Sequence, residues 1–138
     1  MTTQAEIEPG VARYLSGHRV GVLATNRRTG APQQTLIAYQ FDGNDLAISV
    51  RGFSQKAKNL RRSPEASLAV IDGSTQLIVR GPITIIEDET EVLRLNQQRM
   101  RQISTRRETD EELAERLRRE ERVLLLLKPE RCYPASMS

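Results

Sequence analysis

Six short stretches rich in apolar and β-branched residues recur along this 138-residue chain, and brief turn-forming segments separate most of them. They are HRVGVLAT (18–25), QQTLIAYQF (33–41), LAISVR (46–51), ASLAVI (66–71), QLIVRGPITIIED (76–88) and RVLLLLK (122–128). The connections constrain the fold most. A parallel pair of strands needs a crossover of about a dozen residues, whereas a tight turn closes only an antiparallel hairpin. DGND (42–45) and DGST (72–75) are such turns, and NRRTGAP (26–32) offers Asn26 and Gly30 for positive φ. The first three strands are therefore expected to run as an antiparallel meander. Gly81-Pro82 inside the long fifth stretch predicts a bulge or a bend.

Helical signals fill the remainder. PGVARYLSG (9–17) places Val11, Tyr14 and Leu15 on one side and stops at Gly17. From Asp88 the period lengthens, with Val92, Leu95, Arg99/Met100 and Ile103 at helical spacing and Asp88 set three residues before Glu91 as in a capping box. Thr109 and Glu112 repeat that signature, and Glu112–Arg116 and Glu115–Arg119 are spaced for i,i+4 ion pairs. RVLLLLK suits a central strand. The expected architecture is α+β, mostly β: one domain over 1–138, an antiparallel barrel of about six strands with short peripheral helices.

Charge narrows the function. The net charge of +3 favours anions without choosing among them. Aromatics are 4% and Trp is absent, so stacking platforms for single-stranded nucleic acid are scarce. The longest apolar run, VLLLL at 123–127, is too short to cross a bilayer, and the opening MTTQAEIEPG lacks the pattern of a secretory signal. A cytoplasmic protein with no membrane partner is expected. Cys132 reads as an unpaired thiol, and one His with one Cys predicts no metal site.

The densest positive charge lies in SQKAKNLRRSPEASLAV (54–70). Ser54 is a good N-cap and Pro64 a stop, so about two turns of helix are expected between them. The amides of Gln55, Lys56 and Ala57 would then point outward at a helix N-terminus, where anions bind. Lys56 in that first turn can add a full charge, and Asn59 shares roughly its face. Lys58 and Arg62 share another side, so the four cations cannot converge on one phosphate. Alternatives are a solvated basic helix edge or a nucleic-acid surface joined by RMRQISTRR (99–107). A duplex needs a longer footprint, so nucleic acid is not the expected partner.

From about Arg19 to Glu87 the sequence resembles the pyridoxamine 5'-phosphate oxidase-like, flavin-binding split β-barrels, with weaker agreement at the C-terminal strand. The core of the likeness is strand, turn, strand, then S-x-K-x-x-x-(apolar)-x-x-x-P, carried by Ser54, Lys56, Leu60 and Pro64. The resemblance implies a homodimer with two cofactors in grooves between subunits. Gln34, Thr35, Leu36, Ile37, Ala38 and Tyr39 would face the cofactor rings, and Ser49 and Val50 the ribityl chain. Lys56 matches the phosphate lysine, beside Ser54 and Gln55, and Gln76 a glutamine that contacts the cofactor. The partner subunit would contribute from within 97–107.

In oxidases of the founding type arginines stand at the positions of Gln34 and Gln55, and a C-terminal substrate-binding segment follows where this chain reads CYPASMS. Pyridoxamine phosphate oxidase activity is therefore not expected. PQ at 32–33, Y-x-F-D at 39–42 and K-x-x-NLRR-x-P at 56–64 are similar to the branch that uses the deazaflavin coenzyme F420. Its anionic tail would meet Lys58, Arg61, Arg62 and Arg27 or Arg28. The resemblance thus implies an F420-dependent reductase that passes hydride to a small conjugated acceptor. The alternatives are an FMN-dependent oxidoreductase and a non-catalytic flavin- or haem-binding module. Tyr39 and His18 are the only obvious mid-chain proton donors, and no catalytic residue is assigned.

Overall fold

The computed structural model describes residues 6–101 and 108–138. Helix α1 (Pro9–Ser16) starts at a proline, which suits the first helical turn because its missing N–H would be unpaired there anyway. Its cap is Glu8, whose carboxylate accepts from the amides of Gly10 and Val11 at 3.0 and 2.9 Å. The same carboxylate accepts from the amide of Met137 at 3.1 Å, tying the two ends of the described chain together.

Eight strands follow in one antiparallel sheet: β1 (Val20–Thr25), β2 (Gln33–Ala38), β3 (Gln40–Phe41), β4 (Leu46–Arg51), β5 (Glu65–Asp72), β6 (Thr75–Ile86), β7 (Arg122–Leu127) and β8 (Arg131–Tyr133). Their order is β2-β1-β5-β6-β7-β4-β3, with β8 pairing β6. The sheet curls into a split barrel, and β2 at one end comes into contact with β4, the last strand but one at the other, without joining it in a ladder. The expected meander of the first three strands is therefore broken. The run 33–41 divides at Tyr39, and the chain crosses there from one end of the sheet to the other. Tyr39 is buried, and its hydroxyl donates to the Leu15 carbonyl at 2.8 Å.

Gly81-Pro82 inserts no extra residue. Glu65 to Asp72 pair with Pro82 to Thr75 one for one, and from Ile83 onward β6 pairs with β7 instead. The strand changes partner at this dipeptide and so carries the sheet round. β7 is central, as its composition suggests: Val123, Leu125 and Leu127 enter the main core with Leu23, Ile48 and Leu68, while Leu124 is buried outside that cluster.

Helix α2 (Gln55–Arg62) follows β4, and α3 (Glu89–Met100) and α4 (Asp110–Arg119) lie between β6 and β7. Val92, Leu113 and Leu117 form a second small core between α3 and α4. Asp88 caps α3, and Thr109 with Glu112 forms a complete capping box on α4. The pairing expected for Arg116 differs: its guanidinium turns to Glu108 at 2.9 Å and to Glu120 at 3.9 Å, not to Glu112, whose carboxylate serves the cap. Ile103 lies outside the described residues. Among the described residues no helix is long and apolar enough to cross a membrane, and no group of three potential metal ligands occurs.

Candidate functional site

At the seam where β2 and β4 approach lies a groove of 360 Å³. Leu36, Ile37 and Ala38 of β2 form one wall and Ser49, Val50 and Arg51 of β4 the other. Ser54, Lys56, Arg99 and Arg122 complete the lining, so four of its ten residues are cationic and none among the described residues is acidic.

Local sequence explains how the cations arrive. The Ser54 side chain accepts from the Ala57 amide at 3.3 Å and fixes the start of α2. That takes up one of the three amides expected to be open and leaves those of Gln55 and Lys56 without an intrahelical acceptor. The Gly52 amide donates to the Glu121 carbonyl at 2.8 Å, and a Cβ on Gly52 would lie 2.7 Å from that oxygen. This close approach, which glycine permits, holds the β4–α2 connection against the start of β7.

Register then places Arg51 directly opposite Arg122. Like charges facing across a ladder are destabilising unless something compensates them. Glu120 does so for Arg122, accepting from Nε at 2.6 Å, and the Ser49 carbonyl accepts from Nη1 at 3.3 Å. Lys56 has lost part of its water, and burial, followed by the charge of Arg122, holds its pKa below the ordinary lysine value. Such an arrangement can accept an anion.

A sequence profile of the family described as pyridoxamine 5'-phosphate oxidase matches residues 7–135. The chain belongs to the pyridoxamine 5'-phosphate oxidase family. A conserved hypothetical protein of Mycobacterium tuberculosis is 27% identical to this chain, covers 96% of it and 88% of itself, and superposes with a TM-score of 0.73. An F420 reductase is 24% identical over 95% of this chain and 98% of its own, with a TM-score of 0.63. A pyridoxamine 5'-phosphate oxidase-related, FMN-binding protein of Nostoc punctiforme is 18% identical over 95% and 84%, with a TM-score of 0.65. At these two lower identities the likeness is one of fold.

Within this family member, seven residues expected to meet a cofactor line the one groove: Leu36, Ile37, Ala38, Ser49, Val50, Ser54 and Lys56. The others stand elsewhere. Gln34 is exposed on edge strand β2, and Thr35 alternates to the half-buried inner side. Tyr39 faces the core, and burial raises its phenol well above the ordinary range. Gln55 donates to Asn59 Oδ1 at 2.8 Å, and Asn59, fully buried, donates to Thr25 Oγ1 at 3.1 Å, so both serve the packing of α2. Gln76 is exposed beside the β5–β6 turn, opposite Ile71.

Lys58 lines a different and larger cavity of 660 Å³ beneath α3 and α4. There Glu87, Glu89 and Glu121 stand among Lys58, Arg61, Arg118 and Arg122, so most of its positive charge is matched. The smaller groove is the better anion site because its lining cations are not matched by lining carboxylates.

Arg61 is tied to Glu87 and to the Gly52 carbonyl, and Arg62 donates to the Asn26 carbonyl. His18 is held between Tyr14 and Asp72, away from the groove lining. Sequence reasoning missed Arg51, which closes β4, and Arg122, which opens β7, because the pairing of these strands was unknown. Arg99 was read in a helical face, in the basic cluster 99–107 and within the segment 97–107 given to the partner subunit, but not singled out.

Proposed function

We propose that the protein is a coenzyme F420-dependent reductase, acting as a cytoplasmic homodimer of single split-barrel domains over 1–138. The observation that carries this reading is the groove in which Lys56, Arg51, Arg99 and Arg122 converge with the start of α2 and no lining carboxylate among the described residues. One phosphate would not call for so many cations, whereas a cofactor with a phosphodiester and a carboxylate tail would. The Leu36–Ala38 and Ser49–Val50 walls would bracket the ring system and its side arm. Bound, the deazaflavin supplies hydride exchange at a ring carbon for two-electron reduction of a conjugated acceptor. Since Tyr39 and His18 are both committed elsewhere, a proton from solvent completes the reaction.

An exposed apolar face supports the dimer. Val20, Leu36 and Ile71 are 55, 70 and 58% exposed on the outer side of the sheet. Leu36 also lines the groove, so a second copy seated on this face would border the cofactor.

A second reading, an FMN-dependent oxidoreductase, is favoured by the ties of Arg61 and Arg62 within the chain, which leave fewer cations open to a tail. Parallel fluorescence titrations with coenzyme F420 and FMN separate the two, together with mass determination of any ligand retained after mild purification. Tight binding of F420, weakened about tenfold or more in Lys56→Ala, is the expected result. Tight binding of FMN alone selects the second reading, and binding of neither cofactor rejects both.

A further inference from the structure

Arg99 lines the groove with its side chain partly buried. Its guanidinium is oriented by a short relay along α3. Asn96, 1% exposed, donates from Nδ2 to the Val92 carbonyl at 2.7 Å. That bond fixes the amide so that Oδ1 accepts from Arg99 Nη1 at 3.0 Å. Arg99 Nε is buried and has no hydrogen-bond partner among the described residues. A buried donor on a charged group that no acceptor satisfies is costly, and such groups are found where a ligand completes the bonding.

Arg99 also stands apart from the cations at the start of α2. Lys56 lies in the first turn of α2 and Arg99 in the last turn of α3, so the groove draws its cations from two different helices. Arg122 has Glu120 beside it, whereas the partner of Arg99 among the described residues is a neutral amide.

We infer that Arg99, positioned by Asn96, is a second oxyanion anchor of the groove, so that the bound molecules present anionic oxygens at two separated points. The group it takes is an oxyanion (carboxylate, phosphate or sulfonate), whose paired oxygens match the open Nε edge of the guanidinium. That group belongs either to the tail of the cofactor or to the acceptor. This inference rests on the cofactor reading of the groove.

The test compares wild type with Lys56→Ala, Arg99→Gln and Arg99→Lys. Dissociation constants are measured for coenzyme F420, FMN, riboflavin (which lacks the phosphate) and 1,4-naphthoquinone-2-sulfonate added to the cofactor-loaded protein. Arg99→Gln is expected to weaken at least one anionic ligand about tenfold while leaving riboflavin unchanged, with Arg99→Lys recovering much of the loss. A loss on F420 but not on the sulfonate assigns the anchor to the cofactor tail, and the reverse assigns it to the acceptor. Unchanged affinity for every anionic ligand overturns the inference, as does an equal loss on riboflavin. If Lys56→Ala weakens cofactor binding while Arg99→Gln does not, only this inference fails. If neither variant matters, the groove reading fails with it.

Discussion

The His18 imidazole bridges two groups that can only accept: Nδ1 lies 2.7 Å from the Tyr14 carbonyl and Nε2 lies 3.0 Å from Oδ2 of Asp72. Only the imidazolium can donate through both ring nitrogens at once, so the bridge is complete in the protonated form. The ring also stacks on Tyr14 at 4.1 Å, and the Tyr14 hydroxyl donates to the Val70 carbonyl at 3.0 Å. Helix α1 is thereby pinned to the β5–β6 hairpin.

A pH-dependent contribution to stability follows from that bridge. The Tyr14 carbonyl, then Asp72, raises the His18 pKa above 6.5, against a smaller opposing effect of burial. A folded value above the unfolded one means that the stabilisation is complete below the unfolded pKa and is lost as pH rises through the folded one. The Tm gap between wild type and His18→Asn should therefore be widest near about pH 5.5 and narrow by about pH 8.5. A gap that stays constant across this range would show that the charge plays no part.

Gly81 marks where β6 leaves β5 for β7, and space there is fixed by backbone. A Cβ at this position would lie 1.7 Å from the Lys128 carbonyl oxygen. Gly81→Ala must push apart β6 and the chain leaving β7, at a cost of about 3 kcal/mol. Urea denaturation measures it. A loss below about 0.5 kcal/mol, the range of ordinary surface substitutions, would mean the close approach is not maintained in solution.

What the sequence reveals and what it conceals separate along one line. Ser54, Lys56 and Pro64 were legible because capping, first-turn charge and helix arrest depend on residues a few positions apart. The turns at Gly43 and Gly73, both at positive φ, were legible for the same reason. Tyr39 was not, because a strand of suitable composition gives no sign that it changes sheet end halfway. Nor was the Arg51–Arg122 pair, which exists only through the register of β4 on β7. Asn59 was read on the Lys56 side of its helix, but helical spacing says which residues share a face and not which face is buried.

Asn59 tests that last distinction. Its amide joins Gln55 to Thr25 inside the protein and does not line the groove. Asn59→Ala removes the buried donor to the Thr25 hydroxyl, which keeps only its 3.4 Å bond to Gln33 Oε1, and should cost about 1–3 kcal/mol of stability. Cofactor affinity should fall less than in Lys56→Ala, since only the seating of α2 is disturbed. Undiminished stability combined with abolished cofactor binding would instead make Asn59 a direct contact.

Ile71 offers a test of assembly that leaves the groove lining untouched. Register puts it on the outer face with a continuous apolar series: Leu36 lies opposite Val22, Val22 opposite Ala69, Ala69 opposite Ile78 and Ile78 opposite Tyr133. Ala69 and Ile71, two apart on one strand, share that face. Water contact over so many apolar side chains is unfavourable at about 25 cal/mol per Å², and a second copy would remove it. Ile71→Glu places a charge within the patch and should shift sedimentation from dimer to monomer, whereas Ile71→Val should not. Because Leu36 and Ala38 belong to both the face and the groove, cofactor affinity should weaken along with the dimer. A wild-type protein that sediments as a monomer, or an Ile71→Glu dimer as tight as wild type, would place the interface elsewhere.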